Sequence, residues 1–272
     1  MIRSMYSGVS GMRGFQTKLD VIGNNIANVN TTGFKAGRVM FKDIMSQTMS
    51  GASAANDGQP GVNPKQVGLG VQIGSIDTVH TGGSAMTTNR PLDLRIDGDG
   101  FFTVILSEDQ EVPFLTRAGD FHLDAARQLV TSDGLFVTDN GGAPIVLEDD
   151  VTSFTISQTG EIIATRSDGT TEPTGVQLGI GKVVNPEGLE KIGGNLYRMT
   201  PNANVDGEFE YVTANDAEAG TGALVSGQLE MSNVDLTSEF AEMIVAQRGF
   251  QANSRIITTS DEVLQEVVNL KR

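Results

Sequence analysis

The sequence has no cysteine and no tryptophan. The first absence excludes disulfides, thiolate metal sites and a cysteine nucleophile. The second, with only three tyrosines, leaves little aromatic wall for the cleft in which a glycosidase holds its paired carboxyls. Two histidines, His80 and His122, lie far apart, and neither sits in a metal-binding motif with another histidine or a cysteine. Positive charge is also scarce. Nineteen Lys and Arg stand against 34 Asp and Glu, a net charge of −15, which argues against nucleic acid as a partner because phosphates need a basic surface. No apolar run is long enough to insert into a membrane. The opening MIRSMYSGVSGMRGF lacks the apolar stretch of a cleavable signal peptide, so the expected compartment is the cytoplasm, or the exterior by a route that needs no cleaved signal.

Two phosphate- and metal-like stretches fail on inspection. Asp97-Gly98-Asp99-Gly100 opens like a calcium loop, but Phe101 occupies the third ligand position, so a hairpin turn is the better reading. Gly175 to Lys182 has the wrong glycine spacing for a phosphate loop, and Val183 stands where magnesium needs Ser or Thr. No catalytic constellation and no cofactor site emerges, and the expectation is a protein that is not an enzyme.

What is present is glycine, 33 residues of it, and a change of hydrophobic period along the chain. At the N-terminus Met5, Met12, Leu19 and Ile26 repeat every seven residues, with Phe15, Ile22 and Val29 in an adjoining row. This predicts a helix that frays near Asn30 to Gly33, with Gly33 as a C-terminal cap. At the C-terminus Leu236, Met243, Phe250, Ile257 and Leu264 hold a second seven-residue row beside Phe240, Val267 and Val268. Asp235 serves as N-cap and Glu239 complements the dipole. About 35 residues without proline give ~50 Å of helix at ~1.5 Å per residue. Gln247, Ser254 and Asp261 interrupt the neighbouring row, so a pair made of these two helices alone has a thin seam and needs further partners.

Between the helices the period is two. Leu92, Leu94 and Ile96 alternate before Gly98-Asp99-Gly100, and Phe102 and Val104 resume after it. Further strand-like runs end at Asp133-Gly134 and Asp168-Gly169. The expected fold class is α+β: terminal helices pairing as a coiled coil, with a central antiparallel all-β domain. Residues 1–35 and 233–272 form the helical part, 36–75 an extended connecting arm rich in Gly, Ala, Asn and Pro, and 76–232 the β domain. Residues 201–222 read as a surface loop. Charge follows the same division: residues 1–50 carry +4, 235–272 carry −2, and the segment between them −17, which suits a hydrated middle and mutually attractive ends.

The asparagines Asn24, Asn25, Asn28 and Asn30 crowd the end of an apolar-faced helix, although asparagine is a poor helix former. Their amides suit an environment with several neighbouring chains, where they fix register as well as contact.

The opening MIRSMYSGVSGMRGFQTKLDVIGNNIANVNTTGFKAGRVMF resembles the signature of the bacterial flagellar rod and hook proteins. The close EMSNVDLTSEFAEMIVAQRGFQANSRIITTSDEVLQEVVNLKR is similar to their shared C-terminal helix. LDLRIDGDGFF, FLTRAGDFHLDAARQLVTSDG and GLEKIGGNLYR resemble their β-domain motifs. The resemblance implies terminal helices lining a tube, a helical homopolymer with the β domain outward, and export in an unfolded state through the flagellar type III apparatus. It also implies neighbouring rod, hook-cap and hook–filament junction proteins as partners. An export-gate motif of the Phe-x-x-x-apolar type has two matches, Phe15 to Leu19 and Phe41 to Met45. The assembly interface is expected at Met5, Met12, Leu19, Ile22, Asn24, Asn25, Ile26, Asn28, Val29, Gly33 and Phe34, and at Leu236, Phe240, Met243, Phe250, Ile257 and Leu264.

Within the family, length favours the straight distal rod, because many hook proteins carry a second outer domain. QTKLDVIGNNIANVNTTGFK, KQVGLGVQIGSIDT and EMIVAQRGFQANSRIITTSDE look most like the short hook proteins of the bacillus type, and a Gly/Ala-rich arm suits a compliant joint. The expectation is therefore the hook, with the distal rod as alternative. From another class, a secreted β-domain binding module on a helical stalk predicts small closed oligomers in place of open tubes.

Overall fold

The computed structural model describes residues 2–54, 60–107, 110, 112–148, 150–204 and 209–270. They form two compact units, and the division cuts across sequence order. One comprises residues 1–27, 37–78 and 235–272; the other comprises 28–36 and 79–234.

In the first unit Ile2–Ala27 is α1 and Leu236–Asn269 is α2. The Asp235 side chain accepts the Thr237 amide at 2.9 Å, satisfying one of the free donors at the start of α2 as the sequence predicts. α1 stops at Ala27, earlier than the expected fraying point. Asn28 offers the chain a tight turn in place of helix: its carbonyl accepts the Thr31 amide at 3.1 Å, and its side-chain oxygen accepts the Thr31 hydroxyl at 3.2 Å.

The segment expected as an irregular arm is a β ribbon. Gly37–Asp43 (β1) and Ser46–Ser50 (β2) are answered by Lys65–Gly68 (β3) and Val71–Thr78 (β4). β1 pairs antiparallel with β4 from Gly37↔Thr78 to Asp43↔Val71, with one bulge after Met40. β2 pairs with β3 from Ser46↔Gly68 to Ser50↔Lys65. Glycine content concealed this: Gly37 and Gly68 sit at strand ends, Gly70 makes a turn at φ +127° and Gly74 takes the bulge in β4, while Val39, Phe41, Val71 and Ile73 keep the period of two.

The second unit is antiparallel β throughout. Ala85–Thr87 (β5) pairs with Gln228–Glu230 and Leu94–Asp97 (β6) with Ala223–Ser226. Phe101–Ile105 (β7), buried at all five positions, is central to a nine-stranded sheet and pairs with Phe114–Thr116, Phe136–Val137 and Ile180–Gly181. Expected hairpins are present at Asp133-Gly134 and Asp168-Gly169. The one expected at Gly98-Asp99-Gly100 is not a hairpin. β6 and β7 belong to different sheets, and both glycines take positive φ to make the crossover. A strand buried on both faces shows no alternation of apolar and polar residues, so its pairing partner cannot be read from the sequence pattern. Tyr211–Val212, inside the stretch expected as a loop, pairs with Ile180–Gly181.

Leu94, Ile96, Phe102, Val104, Phe121, Leu129, Ile180 and Leu224 make the main core of this unit. The observed class is thus α+β, with the chain ends paired as helices and an antiparallel β unit between them in sequence.

Candidate assembly surfaces

α1 and α2 run antiparallel. Asn25 meets Glu239, Lys18 pairs with Glu242 at 3.0 Å, and Phe15 packs on Gly249, where a Cβ would stand 2.6 Å from the ring. Gly8 faces Ile257. The expected row on α2 is only half of the seam. Met243, Ile257 and Leu264 are half-buried, while the complementary row is Ala246, Asn253 and Ser260, small or polar residues that let the backbones approach. Sequence periodicity missed this row because it contains almost no hydrophobic signal.

Small seam residues leave much of the apolar surface of α2 outside the pair. Phe240 is 50 % exposed, Val245 62 % and Phe250 36 %, and Leu236 is exposed too. On α1, Ile22 is buried and Met5, Met12, Leu19 and Ile26 are half-buried. Phe41 and Met45 are both exposed; the Phe41 ring lies 5.8 Å from that of Phe15.

The four asparagines separate into different tasks. Asn24 and Asn30 are exposed and Asn28 holds its turn. Asn25, 1 % exposed, works within its own chain. Its side-chain oxygen accepts the Gly37 amide at 2.9 Å, and its amide donates to the Gly37 carbonyl at 2.9 Å and to Glu239 at 3.0 Å. It therefore pins the first residue of β1 to the helix pair. Burial at the seam pushes the Glu239 carboxyl up, an effect the Asn25 bond only partly offsets. Asn25→Ala removes three bonds and leaves both Gly37 backbone groups unsatisfied, with an expected loss of about 2–3 kcal/mol. Thermal unfolding followed at the helical signal checks it.

In the second unit Gly33, Phe34 and Lys35 are buried, and Val29 is half-buried. Gly33 is no helix cap. It takes φ +68°, a Cβ there would lie 2.6 Å from the Ala118 amide nitrogen, and its own amide donates to the Glu230 carbonyl at 2.8 Å. Around it lies a charged cluster that sequence reasoning missed. Lys35 Nζ reaches Glu230 Oε1 at 2.5 Å and the Thr81 carbonyl at 2.8 Å. Arg117 Nη1 reaches Glu230 Oε2 at 3.4 Å, and the Gly83 amide donates to the same carboxylate at 3.0 Å. Asn233 accepts the Ala36 amide at 2.8 Å. Lys35 and Glu230 are far apart in sequence, so no local spacing announces them.

Burial pulls Lys35 and Arg117 down from their ordinary values. Burial alone would raise Glu230, but Arg117, Lys35 and the Gly83 amide outweigh it and hold the carboxyl low. The cations thus lose by desolvation some of what the carboxylate gains. Such a cluster fixes one geometry more than it adds net stability. Beside it His80 packs edge-on against Phe101 and Tyr197. Burial, reinforced by the nearby charges of Lys35, Arg117 and Lys191, lowers it to about 4.

Helices made from the two chain ends, with apolar rows outside their own seam, and a separate acidic β unit define a structural protein of helical assemblies. Residues 5–35 match the flagella basal body rod protein family, 95–164 the D1 domain of flagellar hook protein FlgE/F/G, and 225–270 the C-terminal family of flagellar basal body rod FlgEFG proteins. The chain is 54% identical over 273 residues to the flagellar basal-body rod protein FlgG of Bacillus subtilis and 38% identical over 278 residues to that of Borreliella burgdorferi, with all of each chain covered. It is 30% identical to the flagellar hook protein FlgE of Borreliella burgdorferi, again covering both chains, across 450 aligned positions. The chain belongs to the flagellar rod and hook protein family, whose members are structural subunits of the bacterial flagellum and not enzymes.

The expected preference for the hook is overturned. Rod relatives match at higher identity and almost without length change, whereas the hook relative carries a large additional stretch. The segments read as hook-like lie inside the 54% alignment to a bacillus rod protein, so they mark the family and not the hook.

Proposed function

We propose that this chain is a subunit of the distal rod, the stiff shaft of the flagellar basal body, and that it polymerises helically through its terminal helices. The observation that supports assembly is the apolar surface of α2 left outside the α1 seam at Leu236, Phe240 and Phe250, which share one face of the helix. Contiguous apolar rows of this kind mark interaction sites. The rod assignment is supported by full-length identity to FlgG and by the arm itself. A ribbon paired through the whole of β1 resists bending better than the compliant linker its composition suggested. The partners are then further copies of this chain, neighbouring rod proteins and the hook, reached by export through the flagellar type III apparatus with the exposed Phe41 and Met45 as the gate motif.

The absence of cysteine makes the test direct. Thr170→Cys and Ser107→Cys, both at exposed positions, are introduced separately into cells that remain motile. A membrane-impermeant maleimide dye is expected to label neither in intact cells and both once the outer envelope is opened. Fluorescent spots at filament bases of intact cells would refute the rod assignment.

A further inference from the structure

A groove of 460 Å³ runs along α1 on the side of the ribbon, lined among others by Tyr6, Val9, Leu69, Val71 and Ile73, with Arg13 at its wall. α2 contributes nothing to its lining. On α2, a row at Ile256, Val263 and Val267 is 43, 45 and 51 % exposed. It lies beside the seam, since the neighbouring Asn253 and Ile257 are the residues that touch α1.

We infer that the groove is the seat of this α2 row from a second copy of the chain. The inference rests on the self-assembly reading and names its contact. Three properties match. Groove and row are both apolar. Tyr6 to Thr17, which bound the groove on α1, and Ile256 to Val267 are the same number of residues apart, ~17 Å of helix in each case. The groove carries one cation, Arg13, and the row is bordered by Glu266; both are exposed, and neither has an ion-pair partner among the described residues.

Because groove and row are different patches, each copy offers one of each. Such a contact is heterologous: it continues from copy to copy as an open helix unless the rotation happens to close a ring. A self-complementary patch would stop at a dimer.

The test is charge reversal with rescue, read as the critical concentration for polymerisation of the purified chain by sedimentation and electron microscopy. Arg13→Glu and Glu266→Arg each place like charges in the contact and are expected to raise the critical concentration about ten-fold. Combining them is expected to return it to within about two-fold of wild type, with circular dichroism confirming the helices in every variant. Single variants that polymerise normally, or a double variant as impaired as either single, would overturn the contact. A wild-type chain that forms only small closed oligomers, or none, would overturn the assembly reading itself, which is a separate outcome.

Discussion

Glu230→Ala is expected to lower the unfolding free energy of the β unit by about 3–5 kcal/mol, because it strands two buried cations. Glu230 is 2 % exposed and is the shared acceptor of Lys35, Arg117 and the Gly83 amide. Lys35→Met is expected to cost less, about 1–2 kcal/mol, since it also removes a desolvated charge and leaves Glu230 paired with Arg117. Denaturant unfolding of the two variants separates the cases; equal losses would contradict the cluster as described.

The same cluster sets a pH dependence. His80 has a folded value of about 4 against 6.5 unfolded. The unfolded chain therefore binds a proton first as pH falls, and stability present above 6.5 is lost on the way down to 4. The window is worth about 3 kcal/mol. Glu230 is depressed as well, so its contribution holds above the ordinary carboxylate value of 4.5 and disappears below it. Acid unfolding should accordingly proceed in two stages, and His80→Phe should remove the first.

The second large effect concerns polymerisation. Phe250→Asp is expected to raise the critical concentration more than a hundredfold, because an unpaired carboxylate buried in an apolar contact costs several kcal/mol. Its ring is 36 % exposed in the single chain, so the helix pair survives the change. Ile257→Asp would block assembly too, but it faces Gly8 across the seam and would also loosen the pair. Normal tubes from Phe250→Asp would show that this part of α2 is not an assembly surface.

The helices and the β class were legible because both are written in local periodicity, and Asp235 declared its cap through residue type and position. The ribbon was not, because glycine at strand ends reads like linker. The Gly98 crossover was misjudged because β7 is buried on both faces and alternation carries no information about its partners. Asn25 was singled out for its amide, and the amide matters, but its partners Gly37 and Glu239 could be found only in three dimensions. Lys35, Arg117 and Glu230 join three distant stretches of sequence, and a pairing of that kind leaves no trace in any one of them.

That long-range pairing also governs when the chain can become a protein. Lys35 and Glu230 are 195 residues apart, so a chain emerging N-terminus first carries its lysine unpartnered until most of the polypeptide has appeared. Closing so large a loop is slow, and its entropy must be spent before the contact returns anything. Early and partial chains therefore lack the contact that holds residues 33–35 against Glu230. The β unit is therefore completed only when the strand Gln228–Glu230 is available to receive Lys35.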